Sequence, residues 1–413
     1  MKMWKAKALF IMFIVFSRST SFAQEPKRMR MAAPPSGGYR MLTEDGKTII
    51  PFEFISNHVV IPVSINGNTL KFILDTGMPT DGAVLFGSKR VNTLGLQIIG
   101  KAQVMGAGGG SVESDLSMGV TFGLPGVEFT NQMVIVMPED STQSRHFEGK
   151  DGIIGHTLFS RFVVRIDYDN MNIILAEPDR FEYTGTGQVL PLQMGRYPFL
   201  VCEADIKGGQ RIPLSLVVDT GNGAALTLNV GAKEGLVIPE KVIEYHTRSI
   251  GPEILRLTGR IERLQLGSYM FKNLLCSFRT SAHEPAPPWA KEGVLGQGIL
   301  RRFNIVFDYT HEKIILEPNG HFNESFEFNM AGIQFNRAAQ DRFQISRVIP
   351  DSPASEAGLC AGDLIVQMNG RPVSQFSVDD VEQLLKKEGE KLMLDIKRGK
   401  ELLQLSLILR RLI

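Results

Sequence analysis

The feature that most limits what this chain can fold into is an internal repeat. Phe72-Ile73-Leu74-Asp75-Thr76-Gly77 returns as Leu216-Val217-Val218-Asp219-Thr220-Gly221, a step of 144 residues from Asp75 to Asp219. Further on, Asp151-Gly152-Ile153-Ile154-Gly155 returns as Glu292-Gly293-Val294-Leu295-Gly296, and Ile173-Ile174-Leu175-Ala176-Glu177-Pro178 as Ile314-Ile315-Leu316-Glu317-Pro318. Their steps, 141 residues from Gly155 to Gly296 and 140 from Pro178 to Pro318, keep register with the first. One supersecondary unit is therefore built twice. The repeats place a first lobe at residues 48–180 and a second at 188–320, joined through Tyr183-Thr184-Gly185-Thr186-Gly187.

Within each lobe the apolar runs are short, such as Val59 to Val63 and Thr69 to Leu74, and Asn-Gly or Gly-rich turns break them. That is the pattern of strands, so a mainly β fold is predicted, with two β-barrel-like lobes around a cleft. A length of 413 residues exceeds what one core serves, and the 43% hydrophobic and 22% charged content is that of a packed globular protein. With 45 basic and 44 acidic residues, nothing in the charge balance points to nucleic acid or an anionic membrane surface.

The ends differ in character. Lys2, Lys5 and Lys7 precede the apolar run Ala8 to Phe16, and Ser21-Phe22-Ala23 offers small residues where a signal peptidase reads. Residues 1–23 therefore read as a signal peptide that sends the protein to the periplasm or outside the cell. The run is too short to span a bilayer, so no membrane span is expected after cleavage. Residues 24–47 read as a flexible lead-in, residues 24–40 being rich in Pro, Arg, Met and Gly. Cys202, Cys276 and Cys360 are scattered and odd in number, which predicts buried hydrophobes rather than a disulfide framework. No HExxH and no Cys/His cluster occurs, so neither a metal nor another cofactor is expected.

One Asp-Thr-Gly is a weak signal, since such aspartates often only cap a loop. Two, each following an apolar strand and each matched by a downstream apolar-apolar-Gly segment, are different. Glycine lets the backbone turn sharply, so that an aspartate at a buried strand end points into the cleft. The threonine hydroxyl can then bond across to the other copy. Two carboxylates that face one another cannot both ionise cheaply, and they share a proton. One can then act as base on a water while the other polarises a carbonyl. Asp167 and Asp308 also repeat, but each precedes a polar turn and a returning strand and reads as a hairpin residue.

These motifs resemble those of the aspartic peptidases, in the retropepsin-like and pepsin-like form with two lobes fused in tandem. The resemblance covers most of residues 48–320. It implies that Asp75 and Asp219 are the catalytic pair, that Thr76 and Thr220 cross-link the loops, and that Gly77 and Gly221 are the turn glycines. Ile153-Ile154-Gly155 and Val294-Leu295-Gly296 would brace the two loops. The sequence departs from the family at Met78 and Asn222, where a small Ser or Ala is usual, which predicts an asymmetric pair with a shifted working pH. Gly106-Ala107-Gly108-Gly109-Gly110 stands where a flap tip belongs, and Ile250-Gly251-Pro252 marks a stiffer counterpart. A plain surface loop remains the alternative for that glycine stretch. A phosphate cradle is disfavoured, because no Lys-Ser/Thr follows.

After an extended segment, residues 326–413 form a third unit that resembles a PDZ domain. Gly332-Ile333-Gln334-Phe335 stands as the carboxylate-binding loop, and Pro350-Asp351-Ser352-Pro353-Ala354, Ala357-Gly358-Leu359 and Gly362-Asp363 supply the interior pattern. Such a module holds a C-terminal or extended peptide by strand addition. Its alternative is a strut whose groove is filled by the same chain. The expectation is thus an exported aspartic endopeptidase acting on peptide or protein substrates. The competing reading is an inactive peptide-binding or envelope scaffold protein.

Overall fold

The structure is a computed structural model that describes residues 37–413, save 107–109, 140–146, 148, 249, 251–252, 283–286, 288 and 339–341. The expected signal peptide and most of the lead-in lie outside the described residues. So do Gly108 and Gly109.

The fold is mainly β, as the alternating pattern implies. In the first lobe, strand Asn68–Leu74 runs antiparallel to His58–Ile65 and parallel to Gly152–Ile154, which pairs on its other side with Ala83–Leu85. The second lobe repeats this order: Ile212–Val218 lies between Pro198–Asp205 and Gly293–Leu295, and Leu226–Asn229 follows beyond. Both short strands are buried along their whole length, which is why they read as unbroken apolar triplets rather than alternating ones.

A continuous sheet joins the lobes. Lys47–Pro51, Asn172–Ala176 and Val163–Asp167 come from the first, and Phe303–Asp308, Lys313–Pro318 and Gln188–Met194 from the second. Its midline is an antiparallel contact in which Val164 faces Phe307 and Ile166 faces Ile305. One hydrophobic core runs across this junction, from Ile50 to Leu316, with Phe159 packed on Phe307 at 5.2 Å and on Tyr309 at 5.5 Å. Asp167 and Asp308 close the hairpins that follow the midline strands, accepting from the N–H groups of Asn170 at 2.9 Å and His311 at 3.1 Å.

Residues beyond the second lobe return over its surface before entering the C-terminal domain, and a buried arginine fixes that path. The Arg302 guanidinium stacks on Phe326, 3.8 Å from the ring centre, and donates to the carbonyls of His321 at 3.2 Å and Phe322 at 3.1 Å. Burial draws its pKa down to about 10, still far above neutrality, so it remains a cation. The C-terminal domain is a sheet of Ile333–Ala338, Arg342–Val348, Leu364–Met368, Lys391–Arg398 and Glu401–Ile408, with helices Pro353–Glu356 and Val378–Leu384. Its own core includes Ile333, Phe343, Ile345, Val381, Leu385 and Ile396. Ser352 and Ser377 start the helices with reciprocal capping bonds.

Cys202 and Cys276 are buried, but Cys360 is not. It sits on the turn before Asp363, where its backbone N–H donates to the Asp363 carboxylate at 2.9 Å. Turn geometry, rather than the side chain's apolar character, fixes its place.

Candidate active site

Each repeated aspartate is the first residue past a central buried strand. The Asp75 N–H donates to Ile154 O and the Asp219 N–H to Leu295 O, both at 2.9 Å. The downstream apolar-apolar-Gly strands therefore hold the two loops from behind. The loops meet at the molecule's pseudo-twofold. Thr76 N–H donates to Thr220 Oγ1 and Thr220 N–H to Thr76 Oγ1, each at 3.0 Å. Each hydroxyl in turn donates past the midline, Thr76 to Val218 O and Thr220 to Leu74 O, both at 2.7 Å. All four polar groups are buried and satisfied within this closed set of bonds.

The structure brings Asp75 and Asp219 together through the glycines. A methyl group on Gly77 would lie 2.7 Å from the Asp219 carboxyl, and one on Gly221 would lie 2.4 Å from that of Asp75. Only a residue without Cβ allows each carboxylate to pack on the opposite loop. Gly77 N–H donates to Asp75 Oδ1 at 2.6 Å and Gly221 N–H to Asp219 Oδ1 at 2.9 Å.

Burial pushes both carboxyls up from the usual carboxylate range. Asp75 is partly held down by hydrogen bonds from Asp219 and from the N–H groups of Gly77 and Gly221. Asp219 is raised further by the Asp75 charge and by its bond to that side chain, and so lies well above the usual range. Two carboxyls this close and this buried titrate as a pair, and both are held above the usual carboxylate range.

Met78 and Asn222 make the flanks unequal. Met78 is buried among Ile73, Val84, Phe86, Val104, Met137, Phe147 and Ile153, an apolar cluster of the first lobe in which Phe86 and Phe147 stack at 3.8 Å. Its counterpart in the second lobe gathers Tyr197, Val217, Ala290 and Val294, with Trp289 stacked on Tyr197 at 4.5 Å. The Asn222 side chain accepts from Ala224 N–H at 3.0 Å, while its backbone N–H bonds the Asp219 carboxylate.

Residues that the motifs do not mark also converge here. Across the lobes, the side-chain amide of Asn57 bonds Gly223 O and His58 Nε2 lies 3.1 Å from Gly221 O, so the first lobe props the second Asp-Thr-Gly loop. Burial lowers the His58 pKa to about 4, and the ring is neutral over most of the accessible pH range. Burial, and after it the charges of Asp75 and Asp219, push the Tyr309 hydroxyl well up. Tyr309 belongs to the repeated Asp-Tyr segment, so the repeat held the signal, although Asp308 was its conspicuous residue.

A cavity of about 2050 Å³ surrounds the pair. Two hairpins cover it. The first joins Ile98–Met105 to Ser111–Leu124, and at its tip Gly106 N–H donates to Gly110 O at 2.9 Å. The second joins Val242–Arg248 to Glu253–Leu266. The cavity also reaches the C-terminal domain, where Ile333, Gln334, Phe335 and helix residues Val378 and Glu382 line it. Gly332 has φ +79°, and its N–H donates to Asn329 Oδ1 at 3.0 Å. Among the described residues, no three His, Cys, Asp or Glu side chains are grouped as a metal would need.

Comparison with known proteins agrees with this geometry. Residues 61–158 match the family described as aspartyl protease, and residues 344–398 match the PDZ domain. Serine protease HTRA1 of Xenopus tropicalis is 48% identical over 62 residues, 15% of this chain and 13% of that protein. The same protein of Xenopus laevis is 44% identical over 62 residues, with the same coverage. The chain thus spans about an eighth of the length of the curated relatives it matches. It carries a protease-like domain of the aspartyl protease kind, followed by a PDZ domain.

Proposed function

We propose that the protein is an aspartic-type endopeptidase in which Asp75 and Asp219 act on one water, and that its PDZ domain binds peptide segments. The observation that carries this reading is the buried carboxylate pair, each member packed on the other loop's glycine, at the floor of a cleft built from two cross-bonded loops. Ionised Asp75 takes a proton from the water as the water's oxygen attacks the peptide carbonyl carbon. Protonated Asp219 donates to the carbonyl oxygen, and a tetrahedral diol results. Its collapse, with a proton passed to the leaving nitrogen, breaks the C–N bond. Neither step needs a covalent enzyme intermediate.

The names of the frog relatives raise a serine-type alternative. A matching stretch of 62 residues is too short to contain a two-lobed catalytic unit. His58, beside the loop of Asp219, is buried and faces the Gly221 main-chain carbonyl rather than a serine. Export by the N-terminal segment belongs to the same proposal, with N-terminal sequencing of the mature protein as its check.

The experiment is digestion of a mixed peptide library by the full chain from acidic to neutral pH, beside Asp75→Asn and Asp219→Asn variants of matched folding. Loss of cleavage in both variants supports the reading. Cleavage that persists in both and is blocked by a serine-directed fluorophosphonate overturns it. No cleavage by folded parent protein favours the peptide-binding scaffold.

A further inference from the structure

The second hairpin does more than cover the cleft, because its outer strand lies against the PDZ domain. Gln334, on the PDZ edge strand, meets the backbone of His246 at both ends of its amide. Its Nε2 donates to His246 O at 2.7 Å, and its Oε1 accepts from His246 N–H at 3.2 Å. Both chains involved, Val242–Arg248 and Ile333–Ala338, are the outermost strands of their sheets. The amide thus satisfies, across the gap, the backbone pair that an added strand would satisfy.

The neighbouring Tyr245 side chain hydrogen-bonds Gln334, feels the charge of Glu382 on helix Val378–Leu384, and packs edge-on to Phe328 at 5.2 Å. It therefore sits between the strand and the helix that form the peptide groove. Arg347 adds an ion pair to Glu253 at 2.6 Å, beside the turn of the same hairpin. On the far side of the groove, Asp379 accepts from the Ser56 N–H of the first lobe at 3.2 Å.

The turn of the same hairpin also lines the cavity that holds Asp75. Ile250 packs into the apolar cluster that contains Met78, and a methyl on Gly106 would lie within 1.7 Å of Ile250 O, so the two hairpin tips touch. The turn end of one antiparallel ribbon therefore touches both the PDZ groove and the pocket beside Asp75.

We propose that Val242–Arg248 is an intramolecular latch in the PDZ groove. An extended peptide with an apolar, free C-terminus, adding along Ile333–Ala338, displaces Tyr245 and His246 and so releases the second hairpin from the cleft. The regulatory half of this proposal rests on the endopeptidase reading; the groove occupancy does not. Occupant and hairpin compete for the same space beside the edge strand, so binding and opening are one equilibrium.

Two measurements on the full chain test it without requiring catalysis. In the first, amide hydrogen exchange is followed over residues 242–266 in the parent and in the Gln334→Ala/Arg347→Ala double variant. The expected result is at least tenfold faster exchange around His246 in the variant, with the PDZ core unchanged, and equal exchange overturns the latch. In the second, an immobilised random heptapeptide library with free C-termini is bound by Asp75→Asn protein with or without Tyr245→Ala. Several-fold stronger binding to the Tyr245→Ala protein supports the proposal, whereas equal binding, or none to either, overturns it. Faster exchange and stronger binding in a protein that cleaves nothing would leave the latch standing and remove the peptidase reading.

Discussion

Replacing Thr220 by valine tests the junction between the lobes with almost no change in shape. Thr220 is fully buried, and its hydroxyl serves two partners: it donates to Leu74 O and accepts from Thr76 N–H. Valine leaves a buried carbonyl and a buried N–H unsatisfied, and each such group costs about 1–3 kcal/mol. The expected loss is therefore about 2–6 kcal/mol, a large part of a typical folding stability of roughly 5–15 kcal/mol. Thr220→Ser keeps both bonds and removes one buried methyl, for about 1 kcal/mol. Urea unfolding of parent, Thr220→Val and Thr220→Ser proteins, followed by circular dichroism, separates the two contributions. Activity adds a second readout, since a displacement of about 1 Å at the reacting groups can cost 100-fold in rate. In the proposed peptidase, kcat should fall far more than the folded fraction does. A Thr220→Val protein within about 1 kcal/mol of the serine variant would refute the argument that these cross-lobe bonds hold the loops.

Further outcomes follow from other parts of the structure. Gly221→Ala drives a methyl into the Asp75 carboxyl, 2.4 Å away, and should abolish cleavage while secondary structure by circular dichroism persists. Both carboxyls of the pair lie above the ordinary range, with Asp75 required ionised and Asp219 protonated. In the proposed peptidase the pH–rate bell, set by the pair as a unit, should therefore lie above the ordinary carboxylate range. A raised folded pKa means stability that is present at low pH and lost as pH rises through that value. Asp219→Asn should thus melt higher than the parent near neutral pH, by about 1–2 kcal/mol in stability, and show little gain at pH 3. Arg302→Met removes the cation that holds the linker carbonyls and should cost about 3 kcal/mol or more. Limited proteolysis between the second lobe and the PDZ domain should then accelerate.

Much of this architecture was legible because a repeat carries information that a single motif does not. The paired Asp-Thr-Gly and apolar-apolar-Gly segments located the strand ends, the braces and the crossing threonines, since each is a local requirement on residue type. The C-terminal domain was readable from its ordered set of segments, Gly332 to Phe335, Pro350 to Ala354 and Gly362-Asp363. Long-range complementarity was not readable. Nothing local to Asn57 or His58 says that they touch the other lobe's loop, and nothing in Gln334 says that its amide meets His246. Tyr309 was hidden in plain view, because burial and the nearness of two carboxylates are properties of the folded pair of lobes. Cys360 was misplaced for the opposite reason: residue type suggested burial, and a turn overrode it.

The sheet that joins the lobes is symmetric in its strand order, yet its two halves are written separately in the chain. A polypeptide is a directed object, with different neighbours before and after any bond. An assembly of identical subunits must meet that direction with equivalent walls. Here one wall is built from Met78, Phe86 and Phe147 and the other from Tyr197 and Trp289, and either can change without its mate. The join therefore gives the cleft a head and a tail, so that a bound chain has one preferred polarity across it.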